Sequence, residues 1–405
     1  MYNRSLNNIQ DVNSSLQNTQ LQLSSGKRVL TPSDDPVAST RILQINQDLE
    51  LVGQYQRNID LLENRLRQED DLLGGINDII IRLRELTIQA GDGSQNKDDK
   101  LFLAAEIKER LSQLAGMMNS QDPSGEYVFA GFQGGTKPFH QDESGHYEYF
   151  GDEGQRSLQI DTSVIIPSSD NGKSIFVNIK ASEKTFFTEA NPKNTADPAS
   201  IITTGQIVDQ DAYDAFYPQD MKIQFNAVTA IVPNGPNFSI IEPTTGKVLF
   251  NPQPYNSGQP IVANGVQFEI IGAPSPGDTF FVESTQKQSL LTTVEKLIYG
   301  LEHYQDNSTG RQVLTGVLDD TLANLDNAQT SLLETRGKIG ARLNTVDTTR
   351  EMHLDVELLT REILSELQDV DFAEASSQLS LESTILQAAF SSFSRIANLS
   401  LFDRL

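Results

Sequence analysis

Large apolar residues recur at every seventh position along the first part of the chain. The series consists of Ile45, Val52, Ile59, Leu66, Leu73 and Ile80. A heptad repeat of this length is typical of a coiled-coil seam, so it predicts one long helix. The glycines of Gly91-Asp92-Gly93 should end that helix. Apolar spacing resumes from Leu103 to Met118 and predicts a second, shorter helix.

The last third of the chain carries a matching series. Its members are Leu318, Leu325, Leu332, Ile339 and Val346, followed by Val356, Leu359, Ile363 and Leu367. Each arm has one apolar stripe, so the two arms can bury their stripes only by lying side by side. We therefore predict an elongated, coiled-coil-like helical bundle that is built from both chain ends and has the two heptad series as its seam.

Proline separates these two arms from a different centre. Residues 37–122 and 284–405 contain no proline, whereas 12 of the 16 prolines lie in residues 139–283. Within this centre, apolar and polar residues alternate around Ile223 and Phe225, and again from Val266 to Ile270. Alternation with Gly, Pro and Asn between the runs predicts strands. The predicted fold class is thus α+β, with a central, mostly antiparallel β domain inserted into the bundle.

Two further amphipathic helices are predicted at the chain ends. Breaks at Gly26 and at Pro32–Pro36 separate the first from its arm, and a break at Asp369–Asp371 separates the second. Their apolar stripes have only each other and neighbouring copies of the chain to cover them. We predict that they form an assembly interface, and that the C-terminal stripe has no partner within one subunit. The predicted interface residues are Leu6, Ile9, Val12, Leu16 and Leu23 near the start, and Leu386, Ala389, Phe390, Phe393 and Ile396 near the end.

These breaks divide the chain into five predicted segments. They are an N-terminal assembly helix with its linker (1–36), the N-terminal half of the bundle (37–138), the β domain (139–283), the C-terminal half of the bundle (284–368) and a C-terminal assembly helix (369–405).

Composition excludes several classes of function. The formal net charge is -24, with 55 acidic against 31 basic residues, which argues against binding to nucleic acid. The absence of cysteine rules out thiol chemistry, and no apolar run is long enough for a membrane span. His140, Asp142, Glu143 and His146 are close in sequence, but their spacing matches no metal motif and predicts a solvated loop. We predict no catalytic residue, no cofactor and no metal.

Four short segments resemble a known family. Leu23–Val29 and Pro32–Ala38 resemble the N-terminal signature of the bacterial flagellin superfamily, and Asp369–Glu374 and Ile385–Ala389 resemble its C-terminal signature. The chain is identified on these segments as a member of that superfamily. Gly125–Gly131 and Gly272–Phe280 are similar to segments of family members that sit at the hook-filament junction.

The resemblance implies a secreted, non-enzymatic structural subunit of the extracellular bacterial flagellum, exported by the type III route. It implies an adaptor at the hook-filament junction that polymerises through its terminal helices. The implied partners are copies of itself in a ring, a neighbouring hook-associated protein, flagellin and an export chaperone, with no nucleic acid and no membrane. Two alternatives stay open: a filament-forming flagellin, or a surface adhesin whose activity lies in residues 139–283.

Overall fold

Long helices form the two ends of the chain, as the heptad pattern predicts. The computed structural model describes residues 2–142 and 145–402. Its α-helices are α1 (Tyr2–Ser25), α2 (Pro36–Ala90), α3 (Lys97–Met118), α4 (Gln210–Phe216), α5 (Leu290–Glu302), α6 (Ser308–Gln368) and α7 (Phe372–Phe402). The predicted end of the long helix before Gly91 is confirmed, and so is the shorter helix that follows it.

Helix boundaries coincide with local capping chemistry. Pro36 occupies the first turn of α2, where its missing N–H costs nothing, and the Asp35 carboxylate accepts a hydrogen bond from Ala38 N at 2.9 Å. α3 opens with a capping box, in which Asn96 and Asp99 each accept from the other's backbone N–H at 3.0 Å.

The centre of the chain consists of short strands, which confirms the α+β class. In chain order they are β1 (Phe139–Gln141), β2 (Tyr147–Tyr149), β3 (Ser157–Gln159), β4 (Ile165–Pro167), β5 (Lys180–Ala190), β6 (Ile201–Ile202), β7 (Gln206–Ile207), β8 (Met221–Phe225), β9 (Asn237–Ile241), β10 (Val248–Pro254), β11 (Pro260–Ala263), β12 (Val266–Ile271) and β13 (Thr279–Lys287). The largest sheet has the order β10-β9-β8-β13-β5, and a second sheet joins β11, β12 and β6, with β7 also pairing with β12. The strand pairs within both sheets are antiparallel.

The chain packs as two compact units. The first consists of the described parts of residues 1–60, 160–163 and 346–405, and the second of residues 61–159 and 164–345. The units divide between residues 60 and 61 and between residues 345 and 346, so α2 and α6 each contribute residues to both units. This grouping cuts across the five segments inferred from the sequence, whose boundaries remain predictions.

Aromatic and β-branched side chains fill the core of the sheets in the second unit. Ile223 and Phe225 are buried, while the intervening Gln224 is half-buried, which is the alternation expected of a strand with one face inward. The Phe225 ring meets Tyr255 edge to face, with centroids 4.9 Å apart. Phe268 and Phe280 are fully buried in the same cluster.

One helix of the second unit was not anticipated. The proline-free arm from residue 284 was expected to continue as bundle helix, but α5 ends at Glu302 and α6 begins at Ser308. α5 packs against α3 and is buried along nearly its whole length. The Asn307 side chain accepts a hydrogen bond from Gly310 N at 2.6 Å, which starts a new helix after the break.

Candidate assembly surface

The two end helices, α1 and α7, pack against each other within the first unit. A buried polar contact lies in their interface, where Thr19 Oγ1 donates to Glu382 Oε2 at 2.9 Å. The other oxygen of Glu382 accepts from Gln378 Nε2 at 3.0 Å. A carboxylate in this interface therefore has hydrogen-bond partners, as a buried acid requires.

Most residues of the predicted interface lie on this intramolecular face. The half-buried ones are Ile9, Val12, Leu16 and Leu23 of α1 and Leu386, Ala389 and Phe393 of α7, whereas Leu6 and Phe390 are exposed. The side chain of Ile396 lies outside the described residues. The prediction that the C-terminal stripe lacks a partner within the subunit is wrong. Two amphipathic helices that start from neighbouring breaks have each other's apolar stripes within reach, so they cover each other first.

Other apolar side chains of the end helices point to solvent. They are Leu21 of α1 and Leu381, Ile385 and Phe390 of α7. Leu381 is 60% exposed, and Ile385 follows it by four residues, which places the two on one helix face. Sequence reasoning missed this pair because it selected a single stripe per helix. The i, i+4 spacing beside that stripe was the available signal.

A longer exposed stripe runs along the part of α6 that belongs to the first unit. Its members are Met352, Val356, Leu359 and Ile363, and we call them the α6 stripe. Their spacing of four, three and four residues places them on one face of the helix. Val356, Leu359 and Ile363 follow the C-terminal heptad series in the sequence, but all three are exposed, with Leu359 at 58%.

The buried register of α6 instead passes through a histidine. His353 continues the heptad of Val346, is 4% exposed, and its Nε2 lies 2.9 Å from the backbone oxygen of Ile160. Its ring also lies against Tyr55, with centroids 5.7 Å apart. A polar residue thus occupies the seam position, with a backbone partner that satisfies it.

The remaining seam residues are placed as follows. Ile59, Leu66, Leu73, Ile80, Leu318, Leu325, Leu332, Ile339 and Val346 are buried, whereas Ile45 and Val52 are half-buried.

The breaks before α2 and after α6 are joined by backbone hydrogen bonds. Arg28 N donates to Gln368 O at 2.7 Å, and Val370 N donates to Gly26 O at 3.0 Å. Gly26 has φ +71°, a conformation that side chains disfavour. We call this pairing the joint. It explains why both chain ends break at the same level in the first unit.

Three members of the histidine and carboxylate group considered from the sequence, His140, Asp142 and His146, lie among the described residues. Over residues 2–142 and 145–402, no three His, Asp or Glu side chains come together in a way that could hold an ion. His146 instead pairs with Glu295 of α5, and Tyr147 N donates to the same carboxylate at 2.9 Å. Burial opposes a charge on His146, but Glu295 outweighs it and the pKa of His146 is raised. Glu143 lies outside the described residues.

We expect Phe393→Asp to loosen α1 from α7. The half-buried ring contributes part of the roughly 1.5 to 3 kcal/mol that a fully buried aromatic supplies, and a carboxylate in its place has no partner. Limited proteolysis should therefore cut residues 2–25 several-fold faster in the variant. Phe390→Asp is the matched control, because Phe390 is exposed on the same helix. Equal cleavage of both variants contradicts the assignment of Phe393 to the intramolecular face.

Comparison with known proteins shows two family regions at the chain ends. The bacterial flagellin N-terminal helical region matches residues 1–134, and the bacterial flagellin C-terminal helical region matches residues 322–404. Together they cover more than half of the chain. Among the described residues, no helix has the length and apolarity needed to cross a membrane.

Full-length similarity points to one kind of flagellar protein. The flagellar hook-associated protein 3 of Salmonella typhimurium is 22% identical over 100% of this chain and 97% of its own length. That of Escherichia coli is 22% identical over 94% of this chain and 90% of its own. The crystal structure of flagellar hook-associated protein 3 from Legionella pneumophila is 26% identical, with a TM-score of 0.54, and covers 80% of this chain and 98% of its own.

Relatives named flagellin match less of the chain, with 31% covered by the flagellin of Escherichia coli. The match to the Salmonella typhimurium protein therefore includes the central residues, whereas that match to flagellin covers less than a third of the chain. This chain belongs to the bacterial flagellin family as a structural subunit of the flagellum, and its full-length similarity is to hook-associated protein 3.

Proposed function

We propose that this chain is the adaptor between the hook and the filament, and that it polymerises with copies of itself in a ring. Its neighbours on the two sides of the ring are a second hook-associated protein and flagellin. It reaches this place by type III export, held before export by a chaperone. It has no catalytic activity of its own, and it binds neither nucleic acid nor membrane.

The observation that carries the proposal is the α6 stripe together with the exposed pair Leu381 and Ile385 of α7. Contiguous exposed apolar residues on a helix usually mark a contact with another protein. Both surfaces lie in the regions that match the flagellin family. We therefore assign the intersubunit contact to these outward faces rather than to the stripe predicted from the sequence.

A ring needs two different surfaces on each subunit, because each copy must meet one neighbour on either side. The α6 stripe and the α7 pair lie on separate helices, and we assign one to each neighbour. Full burial of a large apolar side chain contributes roughly 1.5 to 3 kcal/mol. The four side chains of the α6 stripe are 43% to 58% exposed, so burying the remainder contributes about half of that value each, or about 3 to 6 kcal/mol in total, which offsets part of the entropic cost of association.

Immunogold labelling of intact flagella tests the position of the protein. We expect label at a single site between hook and filament. Label along the whole filament contradicts the adaptor and supports a filament-forming flagellin. Label on the cell surface away from flagella supports the adhesin instead.

A further inference from the structure

A buried glutamate interrupts the apolar seam of α2 in the second unit. Leu62, Leu66, Leu73 and Ile76 are fully buried on the face that also carries Glu69, and Glu69 is only 1% exposed. A charged carboxylate at such a position is costly unless it is paired or hydrogen-bonded. The residue therefore needs a physical account that the assembly role does not supply.

The two carboxylate oxygens of Glu69 differ in their hydrogen bonding. Oε1 accepts a hydrogen bond from Asp170 N at 3.1 Å. Oε2 is buried and has no hydrogen-bond partner among the described residues. Two other buried polar atoms in the same state, Arg65 Nε and Ser169 Oγ, belong to residues that line the same small cavity as Glu69.

The chemistry of this cavity favours water as its occupant. Its volume is about 30 Å³, which is enough for one or two water molecules. Arg65 offers an N–H, and Ser169 offers a hydroxyl that can donate or accept. A cation is opposed by the Arg65 guanidinium, and an anion is opposed by the carboxyls of Glu69 and Asp122. Neither charge opposes neutral water, which can donate and accept hydrogen bonds at the unpartnered atoms.

The charged residues around Glu69 already form ion pairs with one another. The Asp170 carboxylate binds both Nη atoms of Arg342, at 2.7 and 3.0 Å. Asp70, the next residue of α2, is held by Arg336 at 2.7 Å. The other charged residues that line the cavity pair among themselves: Arg65 with Asp122 and Glu126 at 3.4 Å, and Arg156 with Glu126.

Counting these groups gives three arginines, Arg65, Arg156 and Arg342, against three carboxylates, Asp122, Glu126 and Asp170. The network is neutral when Glu69 carries a proton. Ionised Glu69 adds an uncompensated negative charge beside Asp170. Burial, and then the Asp170 charge, raise the pKa of Glu69 to about 8.

We propose that Glu69 is a proton-operated latch: its protonated carboxyl, joined by water to Arg65 and Ser169, packs the segment after β4 against α2, and loss of the proton weakens that packing because it places a second negative charge beside the Asp170 carboxylate. Glu69 contacts this segment through Asp170. Its N–H is bound by Glu69 of α2 and its carboxylate by Arg342 of α6, so it ties the segment to two helices of the second unit.

The sign of the pH effect follows from the two states. Glu69 keeps its proton in the folded protein up to about pH 8, whereas in the unfolded chain it loses the proton near its ordinary pKa of 4.5. The folded state therefore becomes less stable as pH rises from about 4.5 to about 8, and the loss levels off above that. Between pH 6 and pH 8, the unfolding equilibrium constant of this unit rises about 50-fold through Glu69 alone.

Infrared difference spectroscopy on the whole protein detects the proton directly. Subtracting the spectrum of Glu69→Gln from that of the wild type isolates the carbonyl stretch of this one carboxylic acid. We expect the band at pH 6.5 and expect it to fade with a midpoint near pH 8. Glu109→Gln is the matched control, because Glu109 is an exposed acid of α3 and its removal leaves the band unchanged. No difference band at pH 6.5, or a midpoint near 4.5, overturns the proposal.

Urea denaturation tests the latch separately from the proton. Glu69→Gln keeps the size of a protonated carboxyl, so it should remove the 50-fold pH effect, while Glu109→Gln retains it. An unchanged pH effect in Glu69→Gln overturns the proposal. If Glu69→Gln does not fold, Asp170→Asn replaces it in the infrared titration. Removing the neighbouring charge should move the midpoint to lower pH, and an unmoved midpoint counts against the latch.

Discussion

Flagella built with the double variant Leu359→Asp, Ile363→Asp are expected to end at the hook without a filament. Both residues belong to the α6 stripe and are exposed in the subunit, so two carboxylates there cost the fold little. In an assembled ring the same carboxylates are buried against a neighbour without a partner, which costs several kcal/mol per contact. Repeated around the ring, this should abolish assembly.

The measurement is motility and electron microscopy of a strain that carries only the variant, with filament protein assayed in the medium. Leu333→Asp is the matched control, because Leu333 is exposed on α6 but has no apolar residue three or four positions away. We expect the control strain to swim. Normal filaments on the double variant refute the α6 stripe as an intersubunit contact. Loss of the folded double variant, judged by circular dichroism, assigns the stripe to the subunit core.

Leu66→Asp is expected to destabilise the second unit by at least about 4 kcal/mol. Leu66 is 0% exposed in the seam of α2, so the substitution removes a large apolar side chain and leaves an unpaired carboxylate in its place. Leu61→Asp is the matched control, because it makes the same substitution at an exposed position of the same helix and unit. We expect it to change stability by about 0.5 kcal/mol or less.

Urea denaturation followed by far-ultraviolet circular dichroism measures both variants. Similar stability of the two variants contradicts the burial of the seam at Leu66. A parallel experiment with Ile223→Asp, in the core of the largest sheet, asks whether sheet and helices unfold together. We expect hydrogen exchange to show the helices protected in that variant. Loss of protection in both parts at once shows a single cooperative core.

Most of the fold could be predicted from the sequence, because apolar residues recur at regular intervals and glycine, proline or aspartate residues mark the ends of the helices. A helix had to end before Gly91, since Gly91 and Gly93 follow the last seam position, and α2 ends at Ala90. Alternation around Ile223 and Phe225 was enough to predict a strand, because only period two places both residues on one face.

The sequence allows two continuations of the α6 seam after Val346. One is an apolar stripe through Val356, Leu359 and Ile363, and the other is the heptad register of Val346, which predicts a seam position for His353. The structure buries the second, since His353 finds the backbone oxygen of Ile160. That oxygen comes from a distant part of the chain. Long-range partners of this kind leave no periodic signal in the sequence.

The same limitation hid the partner of the C-terminal helix. Phe393 and Leu386 were correctly recognised as members of an apolar stripe, but a stripe does not state what covers it. The structure supplies α1 as the cover, and Thr19 with Glu382 as a polar contact within it. Glu69 was overlooked for a related reason, because a single acid among heptad leucines looks like a surface residue until Asp170 is placed beside it.

The joint between residues 26–28 and 368–370 has a mechanical consequence. Two polypeptide strands cross this level of the first unit, and backbone hydrogen bonds fasten one to the other. A torque applied to α7 is therefore passed to α1 through the main chain as well as through side chains. A pull along either strand is shared by both, so a load that would unwind a lone linker is carried by a doubled one.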